Sequence, residues 1–123
     1  MTEGSAQMND RQIKTLHHVL RLFALRSYRE LAYLSENRMA SAEEIEREIV
    51  GYGREIIYMD DYKLPPDRFG ASQKGPGAVW VDAIFHTVEE GISDLEVRLT
   101  IYDEPNARLE EINRFDIEGI LVG

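Results

Sequence analysis

The sequence predicts an α+β domain, with two or three N-terminal helices packed on one face of a C-terminal antiparallel sheet of three to four strands. Three observations predict it. Apolar residues recur at helical spacing in the first half of the chain. They alternate one in, one out after residue 78. A stretch dense in proline and glycine separates the two regimes.

The first helix is expected over residues 13–24, where Ile13, Leu16, Leu20 and Phe23 form one stripe with Val19 beside it, and Lys14 and Arg21 face away. Ser27-Tyr28-Arg29-Glu30 has the form of a capping box, so a second helix begins there or the two run on as one kinked helix. Ser41-Ala42-Glu43-Glu44 is a cleaner capping box, opening a helix with Ile45, Ile49 and Tyr52 on one face and Gly51 or Gly53 as terminator. Glu43 and Glu44 fall in its first turn, where the helix dipole favours anions. Ile56-Ile57-Tyr58 reads as a short strand. Residues 60–77, with Asp60-Asp61, Pro65-Pro66, Gly70, Gly75, Pro76 and Gly77, read as a loop. A loop that long is uncommon in a compact domain and is often functional.

The last third reads as a meander. Val79, Val81, Ala83 and Phe85 share one strand face, and Trp80, Asp82, Ile84 and His86 share the other. Leu95, Val97, Leu99 and Ile101 point inward on the next strand, with Glu96, Arg98 and Thr100 outward. The loop Glu89–Asp94 joins the two strands, and Gly91 supplies the positive φ of its turn. After a turn near Pro105-Asn106, the residues Ile112, Phe115, Ile117, Ile120 and Leu121 mark one or two further strands.

At 123 residues the chain fits one domain, of which residues 1–9 are expected to lie outside the ordered part. A chain of that length buries roughly 65% of the surface its unfolded form exposes, enough for one stable core. There is no cysteine, which excludes disulfides, thiolate metal sites and a cysteine nucleophile and suits a reducing cytoplasm. The polar N-terminus has no apolar signal region, and no run of 18 apolar residues occurs, so no membrane span is expected.

The net charge is −9, from 14 basic and 23 acidic residues, and it is unevenly spread. Residues 1–36 carry five basic and four acidic groups. Residues 37–88 carry six and nine, and residues 89–118 carry three and ten. A field of that sign repels nucleic acid and anionic lipid and steers cationic partners inward. The acidic side chains of the last third, Glu89, Glu90, Asp94, Glu96, Asp103, Glu104, Glu110 and Glu111, are therefore the candidate contacts for a basic protein partner. The bland alternative is a hairpin turn and a solvated face.

Enzymatic signals are sparse. His17 and His18 are adjacent on a helix and point about 100° apart, so they cannot chelate one metal, and His86 stands alone on a strand. Gly-x-Gly-x-x-Gly, Walker, Gly-x-Ser-x-Gly and His-Glu-x-x-His motifs are absent. No metal, cofactor or catalytic residue is expected. The best pocket the residues offer combines Tyr58, Trp80, Asp82 and His86 in a space between sheet and helices, with Arg98 on the neighbouring strand to pair with Asp82.

Residues 80–99 begin Trp80-Val81-Asp82 and continue through Thr87-Val88-Glu89-Glu90-Gly91-Ile92-Ser93-Asp94-Leu95. This stretch resembles a family of small, uncharacterised bacterial proteins with a W-x-V-D…T-x-E-E-G-x-S-D-L signature. The resemblance extends more weakly over residues 27–122. The family commonly has leucine-tryptophan before the threonine, where this chain has Phe85-His86. The resemblance implies an α+β domain of unknown activity, loosely similar to the immunity proteins of contact-dependent growth-inhibition systems. Cystatin-like and nuclear-transport-factor-like (NTF2-like) folds are structural analogies, which carry no function.

Three expectations of function follow. The first is an acidic cytoplasmic immunity protein that neutralises a basic toxin domain, such as a nuclease. The second is a small-molecule binder or enzyme using the sheet–helix pocket. The third is a structural domain that pairs with its own copies through a strand edge near residues 109–122.

Overall fold

The computed structural model describes residues 7–35 and 41–122. Three helices precede a five-stranded antiparallel sheet. The helices are α1 (Asp10–Ala24), α2 (Tyr28–Leu34) and α3 (Ala42–Tyr52). The strands are β1 (Ile56–Ile57), β2 (Phe69–Ala71), β3 (Val79–Thr87), β4 (Gly91–Pro105) and β5 (Asn113–Val122).

Local chemistry starts and stops the helices. Asn9 opens α1 with a complete capping box against Gln12, and Met8 packs against the core. Arg26, at φ 59, and the Ser27 N–H bonded to the Leu22 carbonyl turn the chain sharply, which separates α1 from α2. Ser27 is the N-cap of α2 but its hydroxyl makes no capping bond. Ser41 caps α3 as its sequence implies, with both capping-box bonds present, and Gly53 ends that helix in the left-handed region at φ 78.

Alternate residues of β3, β4 and β5 form the inner face. Val81, Ala83, Val97, Leu99, Ile101 and Phe115 are fully buried against Leu16, Val19, Phe23, Leu31 and Ile45 of the helices. Phe23 and Phe85 meet edge to face at 4.9 Å between ring centroids. Ile13 departs from the expected stripe and is 42% exposed.

Two short strands share one edge of β3. β1 pairs with Thr87 and His86, and β2 pairs with Val81, Trp80 and Val79. The intervening residues Asp82–Phe85 have no ladder partner on that side. The stretch expected as loop thus contains a 3-10 turn at Pro66–Arg68 and the strand β2. The β3–β4 turn is also tighter than expected: Val88–Glu90 alone make it, and β4 already begins at Gly91. β5 forms the opposite edge of the sheet, and β4 is the one strand it pairs with among the described residues.

Candidate functional site

The gap in the first edge is filled by Tyr62, from the loop between β1 and β2. Its ring meets His17 of α1 edge-on at 6.3 Å and His86 of β3 edge-on at 5.8 Å. Burial pushes its hydroxyl up to about 12, with a backbone hydrogen bond from Ile84 pulling the other way. Tyr58 precedes it on the loop. Its hydroxyl lies 2.7 Å from Nδ1 of His17 and receives a 3.4 Å bond from Arg21, whose guanidinium also stands over the ring. A file of aromatic side chains, His17, Tyr58, Tyr62 and His86, therefore passes from the helix side of the sheet to its outer side.

Two grooves flank this file and share Asp61, Tyr62 and Lys63 as their partition. The larger, about 640 Å³, lies between α1 and the loop. Met8, Ile13, Leu16, Leu64 and Phe69 supply its apolar wall, and Gln7, His17, Asp60, Asp61 and Lys63 its polar groups. The smaller, about 340 Å³, lies on the outer face, where Met59 and Pro65 meet Ile84, His86 and the exposed Ile92.

The pocket expected from sequence is divided by this geometry. His86 lines the outer groove, and Tyr58 stands beside a small cleft against Phe85 and His86. Trp80, Asp82 and Arg98 line neither groove. All three belong to the outer face of the sheet, away from the helices, because β3 and β4 present their alternate residues there. Asp82 and Arg98 form a bidentate ion pair at 2.8 and 3.2 Å, which raises the Arg98 pKa through the hydrogen bond to Asp82. Trp80 lies over Gly70 of β2, where a Cβ would stand 2.9 Å from the indole nitrogen. Sequence reasoning missed Tyr62 as the partner of both His17 and His86. Tyr62 falls in punctuation-rich sequence, and no local spacing links it to either histidine.

The eight acidic candidates fall into two groups at opposite ends of β4. Its 15 residues at about 3.3 Å each span roughly 50 Å. At the hairpin end, Glu89 accepts the Glu55 backbone N–H, and this bond holds its carboxyl below the ordinary value. Glu90 accepts from the hydroxyls of Tyr52 and Thr87, while the Asp94 N–H donates to Tyr52. Glu96 pairs with Arg68 at 2.9 Å. At the far end, Asp103 accepts from Asn9, and Glu104 pairs with Arg114. The carbonyl of Glu110 accepts from Arg11, and Glu110 and Glu111 are exposed.

The structure adds acids that the hairpin reading left out. Glu44 and Glu48 of α3 and Glu118 of β5 line a groove of about 280 Å³ with Gly119 and Ile120, beside the C-terminal half of the edge strand. Burial would raise Glu118, but the Lys74 ammonium and the Thr100 hydroxyl outweigh it and hold the carboxyl below its ordinary value. Next to it, Tyr102 donates to Asp116 at 2.7 Å. Burial and that carboxylate push the Tyr102 hydroxyl up to about 12.

No group of three or more metal-ligating side chains occurs among the described residues, and no helix among them is long and apolar enough to cross a membrane. A family model described as Domain of unknown function (DUF7668) matches residues 20–122, and the chain belongs to that family. No curated protein and no solved structure matches the chain.

Proposed function

We propose that this chain is a binding protein whose partner presents a basic segment, in its specific form a cytoplasmic immunity protein that covers a basic toxin domain. One observation carries the reading: Glu44, Glu48 and Glu118 line a groove beside the exposed end of an edge strand. An extended basic segment adding to Gly119–Val122 would meet those carboxylates with its side chains, while its backbone pairs with the strand. The hairpin acids Glu89, Glu90 and Asp94 lie at the end of α3 and extend the same negative field toward an approaching partner. On α3 itself, four glutamates (43, 44, 46 and 48) face one arginine, Arg47.

The test uses a fluorescein-labelled peptide of alternating arginine and valine, and then the protein domain encoded immediately upstream of this chain. Fluorescence anisotropy on the full chain should show saturable binding that weakens as salt is raised. Charge reversal at Glu44 and Glu48 together should weaken it by about tenfold or more, whereas reversal at Glu110 and Glu111, at the far end of β4, should change it by less than about twofold. Equal loss from both pairs, or none from the first, would sink the reading.

A further inference from the structure

The large groove beside α1 holds a feature that partner binding at the opposite edge does not use. The Arg21 guanidinium can only donate, so the Tyr58 oxygen accepts from it at 3.4 Å, and the Tyr58 proton is available to Nδ1 of His17 at 2.7 Å. Assigning the Tyr58 proton to that bond puts the His17 proton on Nε2. A protonated imidazole would carry a proton there too. Among the described residues no protein group bonds to this nitrogen, and His17 lines the groove. The result is an N–H donor held in place by Arg21 and Tyr58 at an apolar wall built from Met8, Ile13, Leu16, Leu64 and Phe69, with the donors of Gln7 and Lys63 on exposed side chains beside it.

The charges at the groove narrow what it accepts. Asp60 and Asp61 outnumber Lys63 there, and the chain as a whole carries −9, so an anionic ligand is disfavoured. A cationic amine would pair with Asp60 and Asp61, which are exposed, and would leave the apolar wall and the His17 N–H without a partner. The volume, about 640 Å³, is in the range of sites for small organic molecules.

We propose that the groove between α1 and the β1–β2 loop binds a neutral, largely apolar small molecule bearing a carbonyl-type hydrogen-bond acceptor, which receives the N–H of His17. The loop forms one wall, α1 the other, and Arg21 and Tyr58 hold the imidazole in place. These two residues are positioning groups, since neither lines the groove.

Nile red, an uncharged dye with a carbonyl acceptor and polarity-sensitive emission, is a suitable probe. Titrated with the full chain, it should show saturable, blue-shifted emission. Ile13→Trp fills the groove from a helix position that is already 42% exposed, and should weaken binding at least tenfold; Ile13→Glu reaches the same end by charge. His17→Phe keeps an aromatic ring but removes the donor. It should weaken binding by roughly 2- to 10-fold and move the emission of the bound dye further to the blue, as its carbonyl loses a hydrogen bond. Val50→Asp, on the exposed side of α3, should change nothing. Absence of a saturable signal, or wild-type binding by both Ile13 variants that circular dichroism shows folded, overturns the site. Wild-type affinity and emission in His17→Phe overturn the assigned ligand class.

Discussion

The two edges of the sheet are closed by different means. On the β3 side, two short strands cover the ends of the edge and leave Asp82–Phe85 unpaired, and a tyrosine ring from the intervening loop occupies the gap. On the β5 side, single hydroxyls do the work. Thr15 of α1 accepts the Asn113 N–H at 2.7 Å, and Ser35, just past α2, accepts the Ile117 N–H at 3.4 Å. Beyond Ile117 the strand continues to Val122, with Leu121 and Val122 exposed. An unpaired edge is a template for further strand pairing, so its closure limits self-association to whatever remains open. The strand edge expected for pairing between copies, near residues 109–122, is thus bonded by helix-borne side chains over its first half. The two candidate surfaces flank these edges: the ligand groove lies beside the filled gap and the acidic groove beside the open end.

Two changes test this contrast. Tyr62→Ala removes the side chain that fills the β3 gap and partitions the two grooves. It should cost about 3 kcal/mol in urea unfolding, toward the lower part of the range for aromatic truncation because the ring is not fully enclosed. If closure by Tyr62 is incidental, the loss will be no larger than that of an exposed tyrosine such as Tyr33. Thr15→Val removes the acceptor that satisfies a buried N–H on the β5 edge while preserving shape. The expected loss is about 1 to 3 kcal/mol, accompanied by faster hydrogen exchange at Asn113 and unchanged exchange at Ile117.

The smallest effect concerns pH. Burial, with Arg21 next, lowers the His18 pKa from its ordinary 6.5, and its Nε2 is buried without a partner. The unfolded chain therefore binds the proton more readily than the folded one. The His18 contribution to stability is present above pH 6.5 and is lost as pH falls from there through the folded-state value. His18→Gln should flatten the stability profile in that window. Glu89 and Glu118, both lowered from 4.5, should continue to act only below their ordinary value. A profile with the same slope between pH 6.5 and 5 in both proteins would remove His18 as the cause.

Much of the fold was legible because its signals are local. Val79–Phe85 and Leu95–Ile101 alternate with period two, which a half-buried strand requires, and Ser41 with Glu44 satisfies its own helix end. The strand β2 was not legible. Phe69-Gly70-Ala71 is three residues long, lies among prolines and glycines, and becomes a strand through its register against Val79–Val81. For the site, Tyr58 and His86 could be singled out as residue types. Their union with His17 and Tyr62 could not, since those side chains come from α1, the loop and β3.

Periodicity and composition establish that helices precede a meander, which strand residues face the core, and that the surface is acidic. Each depends on a residue and its near neighbours in the chain, and burial of every second or every third-to-fourth side chain leaves that pattern in any sequence that folds so. Packing alone assigns the rest. The length of β4 divides one acidic segment into two distant groups. The approach of α3 to β5 brings Glu44 and Glu48 beside Glu118, and the split pairing of β3 makes room for Tyr62 between two histidines. These are contacts between residues remote in sequence. Only chain closure brings them together, and no local preference encodes which of them will meet.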